Sequence, residues 1–540
     1  MSHRRWLSSL VGIAVVGGLA LSGAGAAQAT PTDPPGTFAQ QNLGSTLTGT
    51  FAAYRIPALA SLGNNVVVAA WDGRPTSAAD SPNPNSIVMR RSTDNGATWA
   101  AQTVVRAGNP DTAGNGAAKT GYSDPSFVWD SVAAKLFVFS VYSKDQGFAG
   151  SGYGNDDANR SIISAQVSES TDLGLTWGAP RLITTVVKPG TSSSSSPQPG
   201  AVKGMFASSG EGIQLKYGAH AGRLVQQFAG TVLQADGSTA VQAYSVYSDD
   251  HGVTWTRGAF VGTGMDENKV VELSNGSLLL NSRTSTGGSR KVATSTDGGQ
   301  TWGAVTVDTD LPDPANNASI TRLFPDAALG SADAAKLLFT NADSTSSRQN
   351  VSARVSCDDG ATWSSVRPIA PGFSAYSTAT RLGNGQLGVL YESSYTTGIQ
   401  FARFSDAWLD YSCPSAATAT TSIDGVHITG SRNDAGRNVT TQPYVAGELV
   451  SYAFAVTNTF STTVTVAPTS GNVSPLVPPG TGNCRYTNLA AGAGYTCSTP
   501  KHTVTAAEVA QGYFVPDSTW TVTSVSTSTA RVIGARVALR

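Results

Sequence analysis

From Tyr54 to Trp408 the apolar residues fall in short runs, some continuous and some alternating, cut by Gly, Asn, Asp and Ser. Val66–Trp71, Leu136–Tyr142 and Leu278–Leu280 are examples, and no helical period persists beyond about two turns. Such runs predict strands. One eight-residue spelling, Ser-x-Asp-x-Gly-x-Thr-Trp, recurs at Ser92–Trp99, Ser170–Trp177, Ser248–Trp255, Ser295–Trp302 and Ser356–Trp363. In the fourth copy Asp297 is suited to accept backbone N–H groups two residues on, as in an Asx turn. Gly299 tolerates positive φ, and Trp302 returns a large apolar plate to neighbouring strands. Each copy reads as a hairpin, so the chain repeats a β unit radially. The copies start 78, 78, 47 and 61 residues apart, which suits four-stranded units of about 40–60 residues. The stretch from residue 30 to 413 then predicts a six-bladed β-propeller, one blade lacking the motif.

The strand-and-turn pattern is not continuous along the chain. Residues 30–45 are rich in Pro, Gly and Gln and read as a loose lead-in. A Ser/Pro segment, Lys188–Gly204, reads as an exposed loop interrupting the third unit. Residues 414–422, rich in Ala and Thr, read as a linker. Beyond it Val450, Tyr452, Phe454 and Val456 alternate with polar residues, as do Trp520 and Val522, and Val532–Leu539 predicts a last strand. Residues 423–540 therefore read as an immunoglobulin-like β-sandwich, and the fold class as all-β.

Composition narrows the setting. Charged residues are 13% of the 540, and the formal charge is −1, with no basic block beyond Arg4-Arg5. No nucleic-acid partner is expected. Residues 1–29 have the parts of a signal peptide: basic His3-Arg4-Arg5, apolar Leu10–Leu21, and a small-residue cleavage site at Ala27-Gln28-Ala29. No other run is long enough to span a bilayer. The expectation is a secreted, extracellular protein acting as a monomer. Its four cysteines, an even count in an exported chain, favour disulfides, and their spacing suggests Cys357–Cys413 and Cys484–Cys497. The five histidines are scattered, so no zinc site is expected.

The repeated aspartates read as hairpin ties bonded to backbone, so chemistry must come from elsewhere. Candidate segments place charged or phenolic residues beside strands: Tyr54-Arg55-Ile56-Pro57, Met265–Lys269, Leu280–Arg283, Arg348 and Ala375-Tyr376-Ser377. Singly, each has a bland reading as a solvated arginine, a surface pair or a strand tyrosine. Together they carry a resemblance. Tyr-Arg-Ile-Pro followed by the five boxes resembles the bacterial secreted sialidases (neuraminidases) of glycoside hydrolase family 33. The likeness extends through Trp71–Pro75, Gly121–Ser126, Gln146–Gly150, Met265–Lys269 and Asn316–Ser319, and covers about residues 45–413.

The resemblance implies a substrate at one end of the propeller axis. It makes Arg55, Arg283 and Arg348 the clamp on the sialic acid carboxylate, Tyr376 the nucleophile, Glu267 its base and Asp80 the acid/base on a mobile loop. Glu392 would steady Arg55, and Arg74, Asp124, Phe148 and Asn316 would line the sugar pocket. The chemistry is coherent. An anionic nucleophile would be repelled by a carboxylate on the anomeric carbon, whereas a phenol that loses its proton only as it attacks is not. Guanidinium forks hold a carboxylate as lysine does not. Asp80 must be protonated when it meets the leaving oxygen, which asks for a raised pKa. The Asp80 loop is one residue longer than the family pattern, and Asp72 competes for the role. No metal or other cofactor is implied, and the substrates implied are sialylated glycans, glycoproteins or glycolipids. The implied activity is exo-α-sialidase hydrolysis with retention. Its alternatives are a trans-sialidase, an intramolecular trans-sialidase or a binding propeller without turnover.

Overall fold

The computed structural model of the chain describes residues 36–44, 51–111, 118–190, 196–396, 398–411, 413 and most of 419–539. The expected signal peptide, and residues 414–418 of the expected linker, lie outside these. Regular structure among the described residues is almost all strand: the α-helices are Thr184–Val187, Asp406–Leu409 and Ala506–Gln511. None is long and apolar enough to cross a membrane.

Between Phe38 and Phe404 the strands form six sheets of four or five strands. Ala53–Ser61, Gly121–Asp130, Leu224–Leu233, Asn268–Glu272, Ser319–Arg322 and Ser377–Arg381 each contact the next, and the last contacts the first. That closed cycle is the arrangement of a β-propeller. Strands such as Val67–Arg74 are buried along their whole length because neighbouring sheets cover both faces, which explains the continuous apolar runs.

The stretch expected to be a loose lead-in contains Phe38–Gly44, a strand paired antiparallel with Ile399–Phe404. The N-terminus thus supplies the outer strand of the sixth sheet. This also explains five motifs for six sheets. Each motif joins the last two strands of its sheet, and in the sixth these are not consecutive in the chain, so there is no hairpin to make. The segment expected as a loop is also more structured: Lys188 and Val202 are buried, and Val202–Ala207 is a strand.

The five hairpins share one hydrogen-bond scheme. Ser92 Oγ donates to Asp94 Oδ1 (2.7 Å) and accepts from Gly96 N–H (2.8 Å). Asp94 accepts from Thr98 N–H (2.8 Å) and Oγ1 (2.6 Å). The other four repeat it. The carboxylate therefore closes a loop onto residues three and four ahead, as in Asp297 to Gln300 and Thr301, and not the two-residue Asx turn expected from sequence. The glycine has a second duty. A Cβ on Gly252 would lie 2.3 Å from the Phe137 ring, one on Gly96 2.5 Å from Phe401, and one on Gly360 2.9 Å from Leu279. Val68 and Ser245 stand likewise 3.1 Å from Gly174 and Gly299. Every one of these neighbours belongs to the preceding sheet, so each box hooks its sheet onto the one before.

Three further sheets follow among the described residues: Tyr513–Phe514 pairs with Val537–Ala538, and of two larger sheets one contains Val426–Arg432 and Leu449–Asn458, the other Val464–Gly471 and Asp517–Thr523. They enclose one core of Val426, Ile428, Tyr452, Phe454, Val466 and Trp520. The strand Ala419–Ile423 begins inside the expected linker, and the expected last strand is two, Thr527–Ile533 and Val537–Ala538. Disulfides join Cys357 to Cys413 and Cys484 to Cys497.

Candidate active site

The candidate residues gather where the innermost strands begin. Arg55 lies on Ala53–Ser61, which bulges between Arg55 and Ala58 because Pro57 has no N–H to give the ladder. Ile56 takes φ +65°, an unusual value for a β-branched residue. What holds it there is Glu392: its Oε1 accepts from Ile56 N–H (2.7 Å) and Arg55 Nε (3.1 Å). The other carboxylate oxygen takes Arg55 Nη2 and Tyr376 N–H, both at 3.3 Å. Glu392 is fully buried and ties the first arginine to the backbone of the tyrosine. Among the described residues no hydrogen-bond acceptor meets Arg55 Nη1.

The hairpin of Asn268–Glu272 and Leu278–Ser282 sets Glu267 opposite Arg283, whose N–H reaches the Glu267 carbonyl (2.9 Å). Arg283 Nη1 then pairs with Glu267 Oε2 (2.9 Å) and Nη2 with Asp266 Oδ2 (2.8 Å). The same Nη1 lies 3.3 Å from the Tyr376 hydroxyl. Arg348 donates to the Tyr395 hydroxyl (3.0 Å) and to the Ala315 carbonyl (2.8 Å), which Arg283 also reaches (2.9 Å). Arg55 and Arg348 stand 5.4 and 5.1 Å from the centre of the Tyr376 ring. One buried phenol therefore meets three guanidiniums and, through Arg283, a carboxylate.

Burial pushes the Tyr376 phenol up and Glu267 adds to it, while Arg283, Arg348 and Arg55 pull down; the net is upward. Burial likewise raises Glu267, helped by Asp266 and opposed by Arg283. Burial thus favours the neutral phenol and makes the neighbouring Glu267 more basic. Burial opposes the charge of Arg55, but Glu392 and Tyr376 outweigh it, and Arg55 is held above its ordinary value.

Asp80 approaches from the side. Arg74 gives Nε and Nη2 to Asp72 Oδ2 (3.3 and 3.0 Å), and Nη1 to the Ala78 carbonyl and to Asp80 Oδ1 (2.7 Å). The Arg74 side chain is 1% exposed and that of Asp80 78%. Arg74, expected to line the pocket, is instead the buried anchor of the Asp80 loop. Asp72, the competing acid, is fully buried between Arg74 and the Asp124 N–H (3.1 Å), and burial pushes it up to about 6 against the pull of Arg74. Asp124, at φ +59°, is raised well above the carboxylate range by burial and then by Asp72, Asp80 and Glu267.

One further expected pocket residue is turned away from solvent, while Phe148 stays half-buried. Asn316 is fully buried, its Nδ2 on the Ala375 carbonyl (2.9 Å), so it grips the segment carrying Tyr376. The Phe148 ring packs edge-on against Phe206. Asp266, inside the Met265–Lys269 motif, and Tyr395, 4.3 Å from Arg55 and alone in a turn, carry no separate signal in the sequence. A cavity of about 680 Å³ opens at the other end of the same strands, lined by Trp129, Glu211, Glu272 and Arg322 among others, and holds none of the candidate residues.

Residues 65–389 match the BNR repeat-like domain family. A sialidase of Micromonospora viridifaciens is 49% identical over 419 residues, 76% of this chain and 61% of that protein. The chain spans about three fifths of the length of curated relatives it matches. Among solved structures, the Hadza microbial sialidase Hz136 superposes with a TM-score of 0.56 at 27% identity, over 66% of each chain. The intramolecular trans-sialidase from Ruminococcus gnavus superposes at 0.57 over 69% of this chain and 98% of its own. At 19% identity, that likeness shows the fold alone.

Proposed function

The chain belongs to the BNR repeat-like family, among the bacterial sialidases, and from that premise we propose that it is a secreted exo-α-sialidase. It releases terminal sialic acid from glycans, glycoproteins or glycolipids with retention of configuration, and the groups that do so lie within residues 30–413. The observation that carries this reading is the buried Tyr376 hydroxyl 3.3 Å from Arg283, which itself pairs with Glu267 at 2.9 Å.

Arg55, Arg283 and Arg348 receive the sialic acid carboxylate. Asp80 gives its proton to the glycosidic oxygen, and the bond from the anomeric carbon to that oxygen breaks with its electron pair going to the oxygen. The Tyr376 oxygen attacks the anomeric carbon as its proton passes to Glu267. Water then attacks the same carbon from the other side, giving its proton to Asp80, and the departing tyrosine recovers its proton from Glu267. Two inversions give retention. The exposure of Asp80, against the full burial of Asp72, supports its assignment as the mobile acid.

Incubation with sialyllactose isomers, followed by NMR of the first product, tests the reading. The expected product is free sialic acid, initially the α-anomer. An anhydro sugar would make the protein an intramolecular trans-sialidase, and transfer to added lactose a trans-sialidase. Saturable binding with no product would overturn the enzymatic reading.

A further inference from the structure

Lys269 is buried, and among the described residues no carboxylate lies within ion-pair distance of its ammonium. Its Nζ instead donates to the Ser209 carbonyl and to Asn317 Oδ1 (2.9 Å), with Ser208 Oγ at 3.5 Å. Sequestering an ammonium without a paired anion costs several kcal/mol, and a neutral donor would satisfy the same acceptors. The charge therefore asks for a reason, and the neighbours supply one.

Lys269 lies two residues after Glu267 on the same ladder, so the two side chains share a face. Its bonds lead to the nucleophile as well. Asn317 Nδ2 donates to the Ser209 carbonyl (3.1 Å) and Oγ (2.8 Å), and its own carbonyl accepts from Ser377 N–H (3.4 Å). Asn316 holds the Ala375 carbonyl at 2.9 Å. The pair Asn316–Asn317 thus grips the residues on both sides of Tyr376, and Lys269 braces that pair from behind.

We propose that Lys269 is a positioning residue for proton transfer from Tyr376 to Glu267, bracing the clamp on the tyrosine and setting the charge behind the base. The proposal rests on the reading of Glu267 and Tyr376 as base and nucleophile. The charged groups facing the ammonium are Glu267 from its own strand, Arg290 from Gly288–Ser295 and Glu211 from Gly210–Glu211; Asn317 and Ser209 are uncharged. Burial pulls the ammonium down to about 7, while Glu267 and Glu211 work the other way.

The test is the pH profile of kcat/KM for Lys269→Met and Lys269→Gln, beside Glu267→Gln. Losing the positive charge raises the Glu267 pKa, so the acid limb moves to higher pH. A shift of one unit lowers kcat/KM about tenfold on that limb. Affinity for a didehydro sialic acid, held by the arginine clamp, should change less than about twofold, since it does not report on the base. Lys269→Gln keeps donors for Ser209 and Asn317, so it should recover plateau kcat while leaving the limb displaced, and it carries the test should Lys269→Met not fold. An acid limb that disappears in Glu267→Gln yet stays unmoved in both lysine variants overturns this proposal alone. A limb that survives Glu267→Gln overturns the assignment of the base, and this proposal with it.

Discussion

Replacing Glu392 by glutamine isolates one carboxylate on which two halves of the site depend. Glutamine keeps the shape and one oxygen, which can still accept from Ile56 N–H and Arg55 Nε at the distances now seen, 2.7 and 3.1 Å. The other position becomes an NH₂ group facing Arg55 Nη2 and Tyr376 N–H, each 3.3 Å away. Two donors then meet a donor in a fully buried place. A buried group left without a partner costs about 1–3 kcal/mol, and breaking a buried ion pair outright about 3–5 kcal/mol. Arg55 has one end at the site, where water reaches it, so the lower part of that range applies and the expected loss is about 3 kcal/mol. Urea unfolding followed by tryptophan fluorescence reads this directly. The strained Ile56 loses part of what holds it, Arg55 and Tyr376 are freed to shift, and kcat/KM should fall about a hundredfold. A stability within about 1 kcal/mol of the parent, with kcat/KM unchanged, would refute the reasoning, because it would mean that neither the charge nor the second oxygen is needed.

Gly252→Ala must both take φ +77° and place a Cβ 2.3 Å from Phe137, so a loss of about 2 kcal/mol or more is expected in thermal unfolding; no loss would deny that the box locks neighbouring sheets. Asp94 and Asp172 are held down to about 2 by the hydroxyls and then the N–H groups of Thr98 and Thr176. Their contribution to stability is complete above the unfolded value near 4 and is lost as pH falls through about 2, so Asp94→Asn should lower the melting temperature most at neutral pH, the difference from the parent closing as pH falls through that window. Arg74→Gln releases the Asp80 loop, so turnover should fall on a sialoside with a poor leaving group and be largely spared when the leaving group is already acidic; equal losses on both would place Arg74 in binding.

The sheets, the box hairpins and both disulfide pairs were legible because each has a local cause: apolar runs, turn residues at fixed offsets, and cysteines grouped by position. Phe38–Gly44 was not, since its seven residues pair across the whole length of the propeller with Ile399–Phe404, and nothing local records that. The arginines, Tyr376 and Glu267 lie in segments marked by charged or phenolic residues beside strands, but their roles, and Glu392 itself, come only through a family likeness; the structure brings them together. Arg74 and Asn316 show the limit of such a likeness. It marks a residue as belonging to the site, but not whether the side chain faces the ligand or stands behind the residue that does. That distinction depends on burial, and burial depends on contacts between distant strands.

The account stands most directly on the covalent step. A fluorinated sialosyl donor, whose intermediate breaks down slowly, should leave a sugar on the peptide carrying Tyr376, and Tyr376→Phe should take up no label while still binding a didehydro sialic acid. Mapping of the label to Glu267, Asp80 or any other residue would contradict the account.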